Sequence, residues 1–499
     1  MTGASVIKNA TMKHFLTDIL DAKLQPATET QVGAHVLTLF ERVAAMVPAY
    51  RDFLLTTGVD PSTITSLADF RTLPYTNKQN YNQKYKLADL CRDGRLDATD
   101  MIAVSSGASG APTFWLRAGV DEEAISVRFA QIFHDSFRAD ERLTLAVVCF
   151  PLGTWVGGMY TAACCRHLAA QGYRVVTVSP GNNKAEILRV VQALGPEFQQ
   201  TVLLGYPPFV KDVVDSGIAA GVRWANYNVK MVFAGEVFSE EWRSLVCERV
   251  GAVDPARDTA SLYGTADAGV LANETPLSIS LRRFFAANPE AGRELFGESR
   301  LPTLAQYDPL SRYFEADNGT LLFTGDNGIP LIRYHIADSG GIVPFDDMIA
   351  YATDRGWSMP AELKSAETRG LRRLPFVYVF GRSLFAVSFY GANVYPENVM
   401  VGLEQATIKD WVTGKFVLEV VDVDDGNRGL RVTVELAAGV DWDDTKRVTI
   451  AESIRLHLRR LNSEFANYVP DVRQTPIVEL RSTGDPEYFP VGIKHRYTR

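Results

Sequence analysis

Cysteine is scarce in this chain of 499 residues: Cys91, Cys149, Cys164, Cys165 and Cys247 make an odd five with no Cys-x-x-Cys spacing. That excludes a disulfide scaffold and reads as buried thiols in a reducing compartment. Histidine is as thin, seven residues with no His-x-x-x-His pair, which argues against a protein-built metal cage. Long apolar runs are missing too. Nowhere do eighteen apolar residues follow one another, and residues 1–20 lack the positively charged start and long apolar run of a leader sequence. A cytoplasmic protein without a membrane partner is the expectation. Nor is there a basic block. Lys and Arg total 51 against 59 Asp and Glu, a net charge of -8, so nucleic acid is not an expected partner and an anionic ligand must be held by a local site.

What is present is a globular composition, with 46% hydrophobic and 22% charged residues, which can support a core and argues against disorder. At ~100–200 residues per domain the length implies two to four substructures. Residues 1–100 read as mainly helical, with Val32, Val36, Leu37, Phe40 and Val43 at helical spacing. From 143 to 263 apolar runs alternate with amphipathic stretches: strands are expected at 143–150, 174–178, 201–204, 229–234 and 260–263, helices at 157–171, 185–194, 208–216 and 240–250. Such alternation implies a parallel sheet covered by helices on both faces, with ligands beyond the carboxyl ends of its strands. Residues 273–319 form a long connection to which no chemistry is assigned, and a strand returns at 320–324. Residues 340–375 contain neither Cys nor His, so no structural metal is expected there. The end of the chain reads as a small α+β unit, with strands at 416–423, 430–436 and 476–480 and a helix at 444–461.

The stretch that organises these parts is Ser105-Ser106-Gly107-Ala108-Ser109-Gly110-Ala111-Pro112-Thr113, set between apolar residues 101–104 and 114–116. Its composition reads as strand, tight loop, strand. Glycines let backbone N–H groups turn inward and hydroxyls add donors, a combination suited to phosphate. The Gly-Lys-Ser/Thr ending of a nucleotide-hydrolysing P-loop is absent.

This loop resembles the phosphate loop of the adenylate-forming superfamily: acyl-CoA synthetases, adenylation domains and luciferases. Many members carry a lysine before the proline, where Ala111 stands here. Further segments follow in the same order. Val47-Pro48-Ala49-Tyr50-Arg51, Gly58-Val59-Asp60 and Leu73-Pro74-Tyr75-Thr76-Asn77-Lys78 are similar to the N-terminal region of phenylacetate-CoA ligases. Ala234-Gly235-Glu236 resembles the turn that lies against adenine in that branch, and Tyr263-Gly264-Thr265-Ala266-Asp267 resembles Tyr-Gly-x-Thr-Glu, with Asp for Glu. Pro330-Leu331-Ile332-Arg333-Tyr334 through Asp338 resembles the ribose-binding motif. Gly381-Arg382-Ser383-Leu384, followed by Gly391-Ala392-Asn393-Val394-Tyr395-Pro396, resembles the superfamily hinge and the loop after it, with Leu384 where the hinge aspartate usually stands. Gly492-Ile493-Lys494 resembles the terminal segment that delivers the catalytic lysine, with one residue more than the usual spacing.

The resemblance implies an α/β fold: a large N-terminal domain, residues 1–380, with helix-covered mainly parallel sheets binds ATP and acid, and a small mobile α+β C-terminal domain, residues 381–499, carries the hinge and lysine. It implies MgATP-dependent activation of a carboxylic acid, aromatic by analogy, as an acyl-adenylate, then transfer to coenzyme A with release of AMP and pyrophosphate. Ser105, Ser106, Gly107, Ser109 and Gly110 would cradle phosphates, Thr265 donate to the α-phosphate and Asp267 hold Mg²⁺. Gly235, Glu236, Tyr263, Gly264, Asp338 and Arg382 would hold the nucleotide, and Lys494 bridge carboxylate and α-phosphate. Gly391 would lie near the pantetheine channel, and Trp155, Gly157 and Gly235 would wall the acid pocket. Two alternatives stay open: transfer to an amine or carrier protein, suggested by Leu384, and a nucleotide-binding relative without chemistry, suggested by Ala111, Asp267 and the shifted Lys494. A homodimer is an assembly the sequence leaves open.

Overall fold

The structure is a computed structural model that describes residues 15–97, 99–104, 113–154, 156–298, 300–364, 369, 371–381, 387–390, 392–423, 427–490, 495, 497 and 498. Two helices, α1 (Glu29–Met46) and α2 (Pro48–Thr56), lead into the hairpin β1 (Met101–Val104) and β2 (Phe114–Arg117). Val32, Val36, Phe40 and Val43 are buried, as their spacing predicts, while Leu37 is only half-buried and Leu39 takes a buried place instead. Thr28 caps α1 with a capping box, and Pro48 at the first position of α2 sets its start. Among the described residues no single helix is long and apolar enough to cross a membrane.

The parallel strands follow: β3 (Thr144–Val148), β4 (Val175–Val178), β5 (Gln200–Gly205), β6 (Val229–Ala234) and β7 (Thr259–Thr265). They overlap the five stretches read from the sequence, and their order across the sheet is β4-β3-β5-β6-β7. Helices α3 (Gly119–Gln131), α4 (Val156–Gln171), α5 (Lys184–Leu194), α6 (Pro207–Ala219) and α7 (Glu240–Val250) cover it. Side chains alternate along a strand. Ala146 and Val148 therefore pack with Ile125, Phe129 and Leu168 on one face, while Leu145 and Val147 pack with Val191, Val213 and Val246 on the other.

Beyond β7 the same sheet continues antiparallel through β8 (Gly269–Asn273), β9 (Thr303–Gln306), β10 (Tyr313–Asp317), β11 (Thr320–Gly325), β12 (Leu331–Val343) and β13 (Phe376–Gly381). The full order is β10-β11-β12-β13-β9-β8-β7-β6-β5-β3-β4. The stretch 273–319, read as a connection, contains helices Pro276–Ala287 and Pro289–Phe296 as well as β9 and β10. Phe285, Phe296 and Leu304 there join a core with Trp357 and Phe376, so tertiary packing orders what local composition does not.

The C-terminal part has β14 (Val387–Phe389) paired with β15 (Ala392–Val394), then helix α8 (Pro396–Leu403). A three-stranded sheet of β16 (Val412–Val423), β17 (Asn427–Leu436) and β18 (Ile477–Arg481) packs on helix α9 (Asp444–Leu461) around a core of its own that includes Val399, Phe416, Val432 and Ile454. All five cysteines are buried and unpaired.

Candidate active site

The sheet rule places ligands at the carboxyl ends of the parallel strands, and the described candidates collect there. Gly235 and Glu236 follow β6, and the motif from Tyr263 to Asp267 forms the end of β7 and its turn into β8, with Ala234 paired to Leu262. Gly264 permits this turn: a Cβ would stand 2.7 Å from the Gly269 carbonyl oxygen. Thr265 Oγ1 accepts from the Ala268 N–H at 3.2 Å and closes it.

Two phenol–carboxylate bonds lock this turn to β12. The Tyr263 hydroxyl donates to Asp338 Oδ2 at 2.8 Å, and the Tyr334 hydroxyl donates to Asp267 Oδ2 at 2.8 Å. Each motif thus supplies one phenol and one carboxylate. All four side chains are buried, so each bond removes the penalty of a polar group cut off from water. β8, β9 and β13 lie between β7 and β12 in the sheet, so the sheet curls to bring them together. β12 is irregular at this point. Arg333 (φ 44) and Ala337 (φ 67) adopt the left-handed region, where non-glycine residues are strained. Between the pairs Leu322↔His335 and Thr320↔Ser339, β12 runs two residues more than β11, and this bulge presents Asp338.

Lys78 completes the group. Its Nζ stands 3.4 Å from Asp267 Oδ1, with side chains 19% and 3% exposed. The segment that carries it is stapled to β12: the Thr76 N–H donates to the Arg333 carbonyl at 3.1 Å, and the His335 N–H donates to the Thr76 carbonyl at 2.8 Å. Asn77 and Asn80 cap each other's backbone N–H groups and open the turn Lys78–Asn82. Lys78 has no assigned role in the sequence reading, and its signal was its place in the conspicuous segment Leu73 to Lys78. Tyr334, inside the motif that ends in Asp338, likewise has no role assigned from sequence.

From behind, the Asp267 turn is braced by buried arginines. Arg117 Nη2 donates to the Ala266 carbonyl at 2.6 Å, and Arg312 Nη2 reaches the Ala268 carbonyl at 3.4 Å. Burial pulls the Arg312 guanidinium down to about 10. Arg117 ends β2, so the hairpin is anchored at the same turn, and Trp115 on that strand lies edge-on to Tyr334 at 6.2 Å. Val104 pairs with Phe114 across the hairpin, and its N–H donates to the Thr154 carbonyl at 2.9 Å. The loop residues Ser105, Ser106, Gly107, Ser109 and Gly110 lie outside the described residues, as do Ala111, Trp155, Arg382, Leu384, Gly391 and Lys494.

At β6, Gly235 has φ +85, and a Cβ there would stand 2.6 Å from the Tyr206 ring. The Tyr206 ring meets Phe150 edge-on at 5.1 Å, and a Cβ on Gly157 would contact Phe150 at 3.6 Å. Gly157 and Gly235 are therefore joined through two aromatic rings that the sequence reading did not assign. Burial first, then the Glu236 carboxylate, pushes the Tyr206 phenol up to about 12.

No family model matches the chain. It is 23% identical over 398 residues to a phenylacetate-coenzyme A ligase of Aromatoleum evansii, covering 78% of this chain and 77% of the relative. To the phenylacetate-coenzyme A ligase of Thermus thermophilus it is 24% identical over 385 residues, covering 76% and 74%. Among solved structures, 2-hydroxyisobutyryl-CoA ligase in the postadenylation state superposes with a TM-score of 0.66 at 16% identity, covering 95% of this chain and 90% of the other. The fold is that of this ligase, and the sequence relatives are phenylacetate-CoA ligases.

Proposed function

We propose that this relative of the phenylacetate-CoA ligases, with the fold of the adenylate-forming enzymes, activates a carboxylic acid with ATP and transfers the acyl group to coenzyme A. The supporting observation is the crossed pair of Tyr263–Asp338 and Tyr334–Asp267 bonds, with Lys78 against Asp267. It gathers two carboxylates, two phenols and a cation beyond the sheet end where an α/β fold binds nucleotide.

In the first step a substrate carboxylate oxygen attacks the α-phosphorus of ATP and pyrophosphate leaves. Such a displacement needs alignment and charge neutralisation more than covalent help. Asp338 would accept from the ribose hydroxyls, oriented by Tyr263. Gly235 and Glu236 would border adenine. Thr265 would donate to the α-phosphate, and Ser105, Ser106, Gly107, Ser109 and Gly110 would cradle the phosphates from the hairpin that Arg117 anchors. Asp267 would hold magnesium through a hard carboxylate oxygen, its Oδ2 oriented by Tyr334 and its Oδ1 released from Lys78. Magnesium would neutralise phosphate charge there. Arg382 would contact ribose or phosphate, and Lys494 would bridge the carboxylate and the α-phosphate from a C-terminal domain of residues 381–499 docked on residues 1–380. The second step, attack of the coenzyme A thiol on the acyl carbonyl, releases AMP.

The acid would bind between Gly157 and Gly235 beside Phe150 and Tyr206. Two small residues beside two rings would suit an aromatic acid. Five buried free thiols support a reducing, cytoplasmic setting. The test is a panel of aryl and short branched carboxylic acids with MgATP, read first as pyrophosphate release without coenzyme A and then as products by mass spectrometry with it. Silence across the panel from folded protein refutes the reading. Pyrophosphate without a thioester, and amide on adding amines, would move the acceptor from coenzyme A to an amine.

A further inference from the structure

The last described residues of the chain belong to the C-terminal sheet by their backbone. The Leu418 N–H donates to the Tyr497 carbonyl at 2.7 Å, and Leu418 bridges Thr498 in parallel. His495 Nε2 stands 2.7 Å from the Phe416 carbonyl. Burial pulls that imidazole down to about 4, so the ring is neutral near pH 7 and the carbonyl partner assigns the proton to Nε2. The Tyr497 ring is held between Phe416 at 5.0 Å and His495 at 4.5 Å.

The Tyr497 side chain leaves this sheet and crosses to the large part of the molecule. Its hydroxyl donates to Glu236 Oε2 at 3.2 Å. Burial and the Glu236 carboxylate push the phenol well above its ordinary value, so it stays a donor throughout the working pH range. Other links join the same two parts: Ser239 Oγ donates to Glu404, Lys409 pairs with Glu248 at 2.9 Å, and Arg249 pairs with Asp410 at 3.0 Å. Those three engage α7 and its N-cap. Tyr497 engages the turn before it, where Gly235 at φ +85 gives the backbone little stiffness of its own.

Resting on the nucleotide reading above, we propose that Tyr497 is a positioning residue: its bond to Glu236 holds the turn 234–236 in the form that receives adenine, and so couples nucleotide binding to docking of the C-terminal end. A bond made in the docked arrangement assists acyl-adenylate formation; in a thioester step run from supplied acyl-adenylate it acts only through affinity for that adenylate, so the rate at saturating acyl-adenylate does not depend on it.

The experiment uses the full chain as wild type, Tyr497→Phe, Glu236→Gln and the double variant. Affinity for a non-hydrolysable ATP analogue with Mg²⁺ is measured by calorimetry, and hydrogen exchange is followed at residues 234–250. Tyr497→Phe should weaken the analogue by about ten- to a hundredfold, the worth of one hydrogen bond to a charged group, and speed exchange at the turn. The double variant should be no weaker than the worse single one. Acyl-adenylate formation should fall while thioester formation at saturating supplied acyl-adenylate holds within about twofold. Unchanged affinity and exchange, additive losses, or equal loss of both half-reactions would overturn the proposal. A wild-type chain that binds no nucleotide would instead overturn the reading beneath it.

Discussion

The Tyr334 hydroxyl bonds Asp267 across 67 residues of chain at 2.8 Å, so a carboxylate on the β7–β8 turn is oriented by a strand four places away in the sheet. Removing that hydroxyl leaves Asp267 Oδ2 buried with a partner lost. Tyr334→Phe should lower stability by about 1.5–3 kcal/mol, the range for a hydrogen bond to a charged group. Urea unfolding checks it, as a lower midpoint with an unchanged slope.

Lys78 neutralises Asp267. Lys78→Met strands a buried carboxylate and should cost about 2–4 kcal/mol, with a raised KM for MgATP. Asp267→Asn added to Lys78→Met removes the stranded charge, so stability should recover while activity does not. Denaturation and pyrophosphate release on wild type, Lys78→Met, Asp267→Asn and the double variant separate the two effects.

Gly235 and Gly58 both have positive φ, but only Gly235 has a neighbour in the way of a Cβ: the Tyr206 ring at 2.6 Å, against nothing within 4 Å at Gly58. Gly58→Ala should therefore cost only the backbone strain, about 1 kcal/mol. Gly235→Ala should cost about 1–3 kcal/mol more and weaken nucleotide binding, which Gly58→Ala should leave unchanged. Melting temperatures and calorimetric titration of ATP test the pair.

Burial pushes Glu404 up to about 8, above its ordinary value of 4.5, while Ser239 donates to it. The folded chain therefore binds the Glu404 proton more tightly than the unfolded chain. This contribution to stability is complete below about pH 4.5 and is lost as pH rises through about 8. Glu404→Gln should flatten that decline, so the variant gains on wild type as pH increases. Unfolding free energies from pH 5 to 9 would show converging curves at the acid end, and parallel curves would contradict the assignment.

The parallel half of the fold was legible because its strands are buried on both faces and its helices are not. Residues 229–234 and 240–250 were bounded as the structure has them. Residues 273–319 were not legible, since Phe285 and Phe296 find their partners Trp357 and Phe376 far along the chain. At the site, the sequence assigns roles to Asp267, Asp338 and Tyr263 but none to Lys78, Tyr334, Arg117 or Arg312, whose contacts with the motif turn are all long-range. A local pattern identifies which residue types are suited to the chemistry; it does not identify which distant side chain will orient them.

Tyr334 and Asp338 sit on the one strand β12, four positions apart across a bulge whose Ala337 is in the left-handed region. They behave as the two prongs of one plug, entering the β7 turn together or not at all. Adding or deleting a single residue between them would turn both away at once, so a change tolerated in most surface loops would here disconnect Asp267 and Tyr263 in one stroke.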